Sequence, residues 1–118
     1  MPGKFTVNVR RGDGYAVLET GSYLNQTAGE ELFNRFNDLL EEGYTDFIIN
    51  MSKTKIVNSI GISILIEMLE KLRERKGRLI FCNLSNVISK TFKIMGLTQY
   101  AGVYPNEEEA ISALRGEG

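Results

Sequence analysis

Phe5, Val7 and Val9 alternate with Lys4, Thr6, Asn8 and Arg10, the period of two that marks a half-buried strand. Gly12-Asp13-Gly14 predicts a turn, and Tyr15 to Thr20 the returning strand, with Tyr15 and Val17 on one side and Ala16 and Leu18 on the other. Together they predict an N-terminal hairpin. Gly21 ends it, and Ser22 to Gln26 reads as a loop. Thr27-Ala28-Gly29-Glu30 has the form of a capping box, in which the Thr27 hydroxyl takes the amide at Glu30 and Glu30 reaches back. A helix is expected from there to about Glu42, with Leu32, Phe36, Leu39 and Leu40 as its buried stripe, Phe33 beside it and Gly43 as its stop.

Phe47-Ile48-Ile49 is short, continuous and apolar, as expected of a central strand covered on both faces. Met51 to Val57 reads as a loop carrying Lys53 and Lys55. Asn58 and Ser59 open a second helix, expected to last to about Lys76 with Gly77 as its stop. Leu79 to Cys82 is a further apolar strand. Asn86 to Met95 is a third helix closed by Gly96, Val103-Tyr104 an edge strand, and Asn106 the cap of a short helix from Glu107 to Leu114. Strands alternating with helices imply parallel neighbours after the hairpin. The expectation is an α/β fold with a mixed sheet of about four or five strands and about four helices packed mainly on one face. It forms a single domain over residues 1–118, with its core at about 4–114 and a frayed tail at 115–118.

The second helix carries two apolar stripes. Ile62, Leu65, Ile66, Leu69 and Leu72 share one face, while Ile60, Ile64 and Met68 lie nearly opposite, with Lys71. One stripe meets the sheet. The other is either covered by a neighbouring helix or exposed to a partner. We take the second stripe as partly exposed, with Asn25 and Asn58 on the rim of the surface it forms.

Composition removes most enzyme classes. The chain has 118 residues and no His, so there is no imidazole base, no Ser-His or Cys-His pair and no imidazole metal ligand. Cys82 is the single cysteine, which excludes an internal disulfide and a cysteine-cluster zinc site. A net charge of -1 gives no global pull toward nucleic acid or anionic lipid. The opening residues lack the apolar stretch of a signal peptide, and no apolar run approaches the ~18 residues of a membrane span. A cytoplasmic protein with no cofactor, no metal, no nucleic acid and no membrane partner is expected.

Few groups could carry chemistry. Gly12-Asp13-Gly14 is not followed by a helix, so it fails as a dinucleotide turn. Glu41-Glu42 and Glu107 to Glu109 read as solvated helix faces, and Cys82 as a buried, inert thiol. The basic run from Lys71 to Arg78 is a solvated helix end or the footprint of an acidic partner. At the strand-loop-helix junction Val57-Asn58-Ser59-Ile60-Gly61, Ser59 is either an N-cap or a phosphorylation site. Backbone amides and the helix dipole favour a dianion there.

That junction, with Asn83-Leu84-Ser85 and Thr91-Phe92-Lys93-Ile94-Met95-Gly96-Leu97, resembles the STAS domain, and more narrowly the bacterial anti-sigma factor antagonists. The resemblance spans Phe5 to Leu114. Similar proteins carry Asp-Ser-Ser-Gly at this helix start, and the first Ser is phosphorylated by a partner kinase. It falls on Ser59, and the Gly on Gly61. Here Asn58 stands for the Asp and Ile60 for the second Ser. The loop Gly21 to Thr27 matches the family's Gly-Glu-Leu-Asp type loop, with Leu24 where an acidic residue is common. The resemblance implies a non-enzymatic switch. The unmodified protein binds an anti-sigma factor that is a serine kinase of the histidine-kinase ATPase type, phosphorylation of Ser59 ends the binding, and a serine phosphatase restores it. The expected partner surface is Asn25, Asn58, Ser59, Ile60, Gly61, Ile64 and Met68, on a monomer or weak dimer. The alternative is a scaffold or transport-associated STAS subunit acting by contact alone. A small-ligand binder ranks last, for want of any pocket motif.

Overall fold

The computed structural model describes residues 7–116. Strand β1 (Val7–Arg11) returns through the Gly12–Gly14 turn into β2 (Ala16–Thr20), and the two pair antiparallel. The expected start of β1 at residues 4–6 and the end of the tail, 117–118, lie outside the described residues. The chain continues through β3 (Tyr23–Leu24), α1 (Gln26–Glu41), β4 (Asp46–Asn50), β5 (Ile56–Val57), α2 (Ser59–Glu74) and β6 (Arg78–Cys82). It ends with α3 (Asn86–Ile94), a 3-10 turn (Leu97–Gln99), β7 (Gly102–Tyr104) and α4 (Glu107–Leu114). A five-stranded sheet in the order β1-β2-β4-β6-β7 is parallel from β2 onward, the mixed sheet expected from the order of elements.

The alternation of side chains sorts the sheet into two cores. Ala16 and Leu18, Phe47 and Ile49, and Leu79 and Phe81 point into the larger one, under α1, α2 and α3. Val17, Ile48, Ile80 and Cys82 point to the other face, where Ala110 and Leu114 of α4 cover them. The helices thus sit mainly on one face, with α4 alone behind. Phe36 of α1 meets Phe47 with ring centroids 4.8 Å apart, and Phe92 of α3 meets Phe81 at 5.0 Å. Phe36 and Leu65 are both fully buried, as the predicted packing of the first helix on the second requires.

Several expectations are corrected. The first helix is not capped by Thr27, whose position lies within it. Asn25 is the N-cap, and its Oδ1 accepts from the Ala28 N–H at 3.0 Å. The loops before α1 and α2 each hold a strand, for β3 and β5 pair in parallel as a separate two-stranded ribbon. At the end of α2, Lys76 and not Gly77 takes the left-handed conformation, with φ 59°. Gly77 is needed for another reason: a Cβ there would press into the carbonyl oxygen of Thr45.

The largest correction concerns the second stripe of α2. Met68 is 0% exposed and Ile64 is also buried, so of the three only Ile60, at 41%, faces solvent. The stripe is covered by α1, whose first turn lies on it at a glycine. A Cβ on Gly29 would meet Ile64 Cδ1 inside contact distance, so a side chain there would make the tip of Ile64 shift. Lys71, on the same stripe, donates to Asn37 Oδ1 at 2.7 Å and lies over the Phe33 ring, both on α1.

Candidate functional site

The ribbon of β3 and β5 organises the region singled out in the sequence. Its register pairs Tyr23 with Ile56 and Leu24 with Val57, and the ladder closes where the Asn58 N–H donates to the Leu24 carbonyl at 3.2 Å. The next residue on each strand is a helix cap. Asn25 caps α1, and Asn58 caps α2 with its Oδ1 accepting from the Gly61 N–H at 2.9 Å. Two helix starts therefore stand side by side, set by one ribbon.

Ser59 is the first residue of α2 and is exposed, as expected. The capping role belongs to Asn58, which leaves the Ser59 hydroxyl without a hydrogen bond among the described residues. Ile60 beside it is exposed, as are Ile56 of β5 and Tyr23 of β3. Neither α1 nor α2 has an acidic residue in its first turn, so both positive helix ends are left uncompensated from within. The contrast is α4, whose first turn holds Glu107, Glu108 and Glu109.

Gly61 is buried beneath this surface and is not part of it. A Cβ there would meet the Leu24 carbonyl oxygen inside contact distance, and would lie 3.1 Å from both Leu24 Cγ and Val57 Cγ1. Gly61 thus lets the first turn of α2 sit on the ribbon. Ile64 and Met68 lie deeper still. The structure brings together Asn25, Asn58, Ser59 and Ile60 at one surface, and places Gly61, Ile64 and Met68 as the support under it.

The loops behind the ribbon are tied by hydroxyls that the sequence does not single out. Thr20 and Thr54 are buried and bond to each other, and Thr54 Oγ1 also donates to the Gly21 carbonyl at 2.7 Å. The Ser22 carbonyl accepts from the amides of Lys55 and Ile56, at 2.8 and 3.2 Å. A Thr in a polar loop looks like any solvated residue; only its burial reveals the role.

The remaining candidates resolve into structure. Burial pushes the Cys82 thiol up to about 12, with Glu107 adding to the shift, so the thiol stays protonated and inert. Glu107 is not the solvated carboxylate expected of it. It receives both ends of the Arg10 guanidinium at 2.7 Å and the Asn50 amide at 2.9 Å. These bonds, Arg10 first, hold its carboxyl below the ordinary value against the opposing effect of burial. Glu42 likewise pairs with Arg11, and in the basic run Arg78 pairs with Asp46 and reaches the Leu114 carbonyl.

The mixed five-stranded sheet with its four helices is consistent with a single STAS domain, and residues 6–110 match the STAS domain family. The chain belongs to that family. Over 115 residues it is 23% identical to the anti-sigma-F factor antagonist RsfB of Mycobacterium tuberculosis, covering 98% of this chain and 93% of the relative. Among solved structures, an anti-sigma factor antagonist from Mycobacterium paratuberculosis superposes with a TM-score of 0.82 at 21% identity, covering 93% of each chain. The anti-sigma factor antagonist SpoIIAA in its unphosphorylated form gives 0.78 at 21% identity, over 93% of this chain and 98% of that one. Among the described residues, no group of His, Cys, Asp or Glu side chains could hold a metal ion, and no helix is long and apolar enough to cross a membrane.

Proposed function

We propose that this chain is a regulator of the anti-sigma factor antagonist type, which binds a serine-kinase anti-sigma factor through the surface around Ser59 and is switched off by phosphorylation there. The observation that carries the reading is Ser59 itself: exposed, relieved of capping by Asn58, and standing at the head of α2 beside the head of α1, with no carboxylate in either first turn. Its neighbours Ile60, Ile56 and Tyr23 supply exposed apolar area for a partner, with Asn25 and Asn58 at the rim. Its relatives named as antagonists support the partner class. The protein is then the kinase's substrate and ligand rather than a catalyst. A serine phosphatase closes the cycle, and the cytoplasm is where such partners act.

A phosphate on Ser59 adds about -1.5 to -2 charges. The free protein tolerates them, because they face helix amides and not a buried core. In a complex, a partner carboxylate about 4 Å away repels each unit charge by roughly 4 kcal/mol at an effective dielectric of ~20. A third of that is already about tenfold in affinity. The test is titration calorimetry of wild type, Ser59→Asp and Ser59→Ala against the serine-kinase anti-sigma factor of the same cells, with phosphopeptide mapping. Ser59→Asp is expected to fold normally and bind at least about tenfold more weakly, and Ser59→Ala to bind and escape phosphorylation. Equal affinity for Ser59→Asp, with no phosphopeptide at residue 59, would refute the switch and leave a scaffold acting by contact alone.

A further inference from the structure

A second apolar face lies away from Ser59, beginning about two turns along α2. Between the outer side of α2 and the corner where α3 runs into the 3-10 turn is a depression of about 200 Å³, walled by Ile66, Leu69, Met95 and Tyr100, with Glu70 and Arg73 also lining it. Arg73 lies over the Tyr100 ring, 5.5 Å from its centroid. Beside the depression, at the end of α3, Ile94 is 83% exposed, the most exposed large hydrophobic side chain among the described residues. A bare isoleucine next to an apolar hollow is a knob beside a hole on one surface.

The charges bordering this face are sorted by sign. Glu67, Glu70 and Glu74 follow one another along the exposed ridge of α2, while Lys71 is turned away to Asn37 and Arg73 into the depression. The exposed ridge of α3 carries Lys90 and Lys93, and the chain has no carboxylate between Glu74 and Glu107. Among the described residues none of these five charges forms an ion pair, whereas Arg10, Arg11, Lys53 and Arg78 each have one elsewhere.

We propose that this face binds a second copy of the chain about a two-fold axis. A surface with an acidic bank and a basic bank on either side of a partly apolar hollow is its own complement. A two-fold rotation lays the α2 ridge of one copy on the α3 ridge of the other, and sets each Ile94 toward the opposite depression. Because knob and hole lie on the same face, the contact closes at two copies instead of propagating. A second copy presents both opposite signs, in the order that the two banks require.

Sedimentation equilibrium of the full chain from ~10 μM to ~1 mM tests this with no partner present, so its outcome does not depend on the role of Ser59. Wild type is expected to pass from monomer to dimer across the range. Ile94→Glu, at an exposed position, is expected to keep its circular dichroism and raise the dimer dissociation constant at least about tenfold. The decisive arm uses two double variants, Glu67→Lys/Glu70→Lys and Lys90→Glu/Lys93→Glu. Each alone sets like charge against like and is expected to lose about tenfold or more in self-affinity. Mixed in equal amounts, they regain opposite signs on both banks and are expected to dimerise within about threefold of wild type. A wild type that stays monomeric throughout overturns the proposal, as does an Ile94→Glu chain that dimerises unchanged or a mixture that does not recover. If the monomeric wild type instead loses affinity for its kinase on Ile94→Glu, the face belongs to that partner, and the proposal is equally overturned.

Discussion

Gly61→Ala sets two effects of opposite sign against each other, and the structure decides between them. Alanine is favoured over glycine in a helix by about 1 kcal/mol, and residue 61 lies in the first turn of α2. Helix propensity alone therefore makes the substitution stabilising. Against it stands the close approach of α2 to the ribbon. The added methyl would press into the Leu24 carbonyl oxygen and sit 3.1 Å from Leu24 Cγ and Val57 Cγ1, on residues that are buried or half-buried in the two ribbon strands. The carbonyl is backbone held by the Asn58 amide, so it cannot swing aside as a side chain could. Overpacking of this kind costs about 1–3 kcal/mol, and loosening the Asn58–Leu24 bond about a further 1 kcal/mol. The net expectation is destabilisation by about 1–3 kcal/mol, read as a lower urea midpoint at unchanged slope. Amide hydrogen exchange at Asn58 should quicken more than exchange in β4, because the damage starts at the ribbon. A Gly61→Ala chain as stable as wild type, with Asn58 equally protected, would mean that α2 does not rest on β3 and would refute the reasoning.

Met68→Ala should lose about 2–5 kcal/mol in urea unfolding, since the side chain is 0% exposed, whereas Ile60→Ala should change stability by no more than about 0.5 kcal/mol. The Glu107 carboxyl is held below its ordinary value in the folded chain, so the folded state binds this proton less readily than the unfolded one. The stability it confers is present above the ordinary carboxylate range and fades as pH falls through the lower folded value; Glu107→Gln should flatten that acid limb of a stability–pH curve. Cys82, with its thiol at about 12 and fully buried, should resist a thiol-specific disulfide reagent at pH ~8 in the native protein and react promptly in denaturant.

What is legible in the sequence follows the length of each signal. β4 and β6 are continuous apolar runs, and α4 is announced by Asn106 and its three glutamates, so these elements emerge with close to their true bounds. The two strands of the ribbon have two residues each, too few to show any period, and their pairing joins segments far apart in the chain. The capping pattern Thr27 to Glu30 competes with Asn25, an equally good cap two residues earlier, and only the ribbon places Asn25 at the boundary. The two stripes of α2 are visible, but whether the second is covered depends on α1 crossing it at Gly29, a tertiary fact that no helical wheel contains. Glu107 reads as solvated for the same reason, because its partner Arg10 stands at the other end of the chain.

The parallel ribbon also has a consequence for the order of events as the chain is made. Asn25 and Asn58 become neighbours only after the whole β3–α1–β4–β5 crossover has closed, for their strands lie at opposite ends of that segment. A nascent chain still short of residue 58 carries the first cap and no counterpart, and a peptide cut around Ser59 carries the serine without the strand that holds Asn58 to Leu24. Closure entropy delays such non-local pairing until late in folding. A binding protein that touches both sides of the ribbon therefore reads closure of that crossover along with its chemistry, and passes over fragments that display the same serine without it.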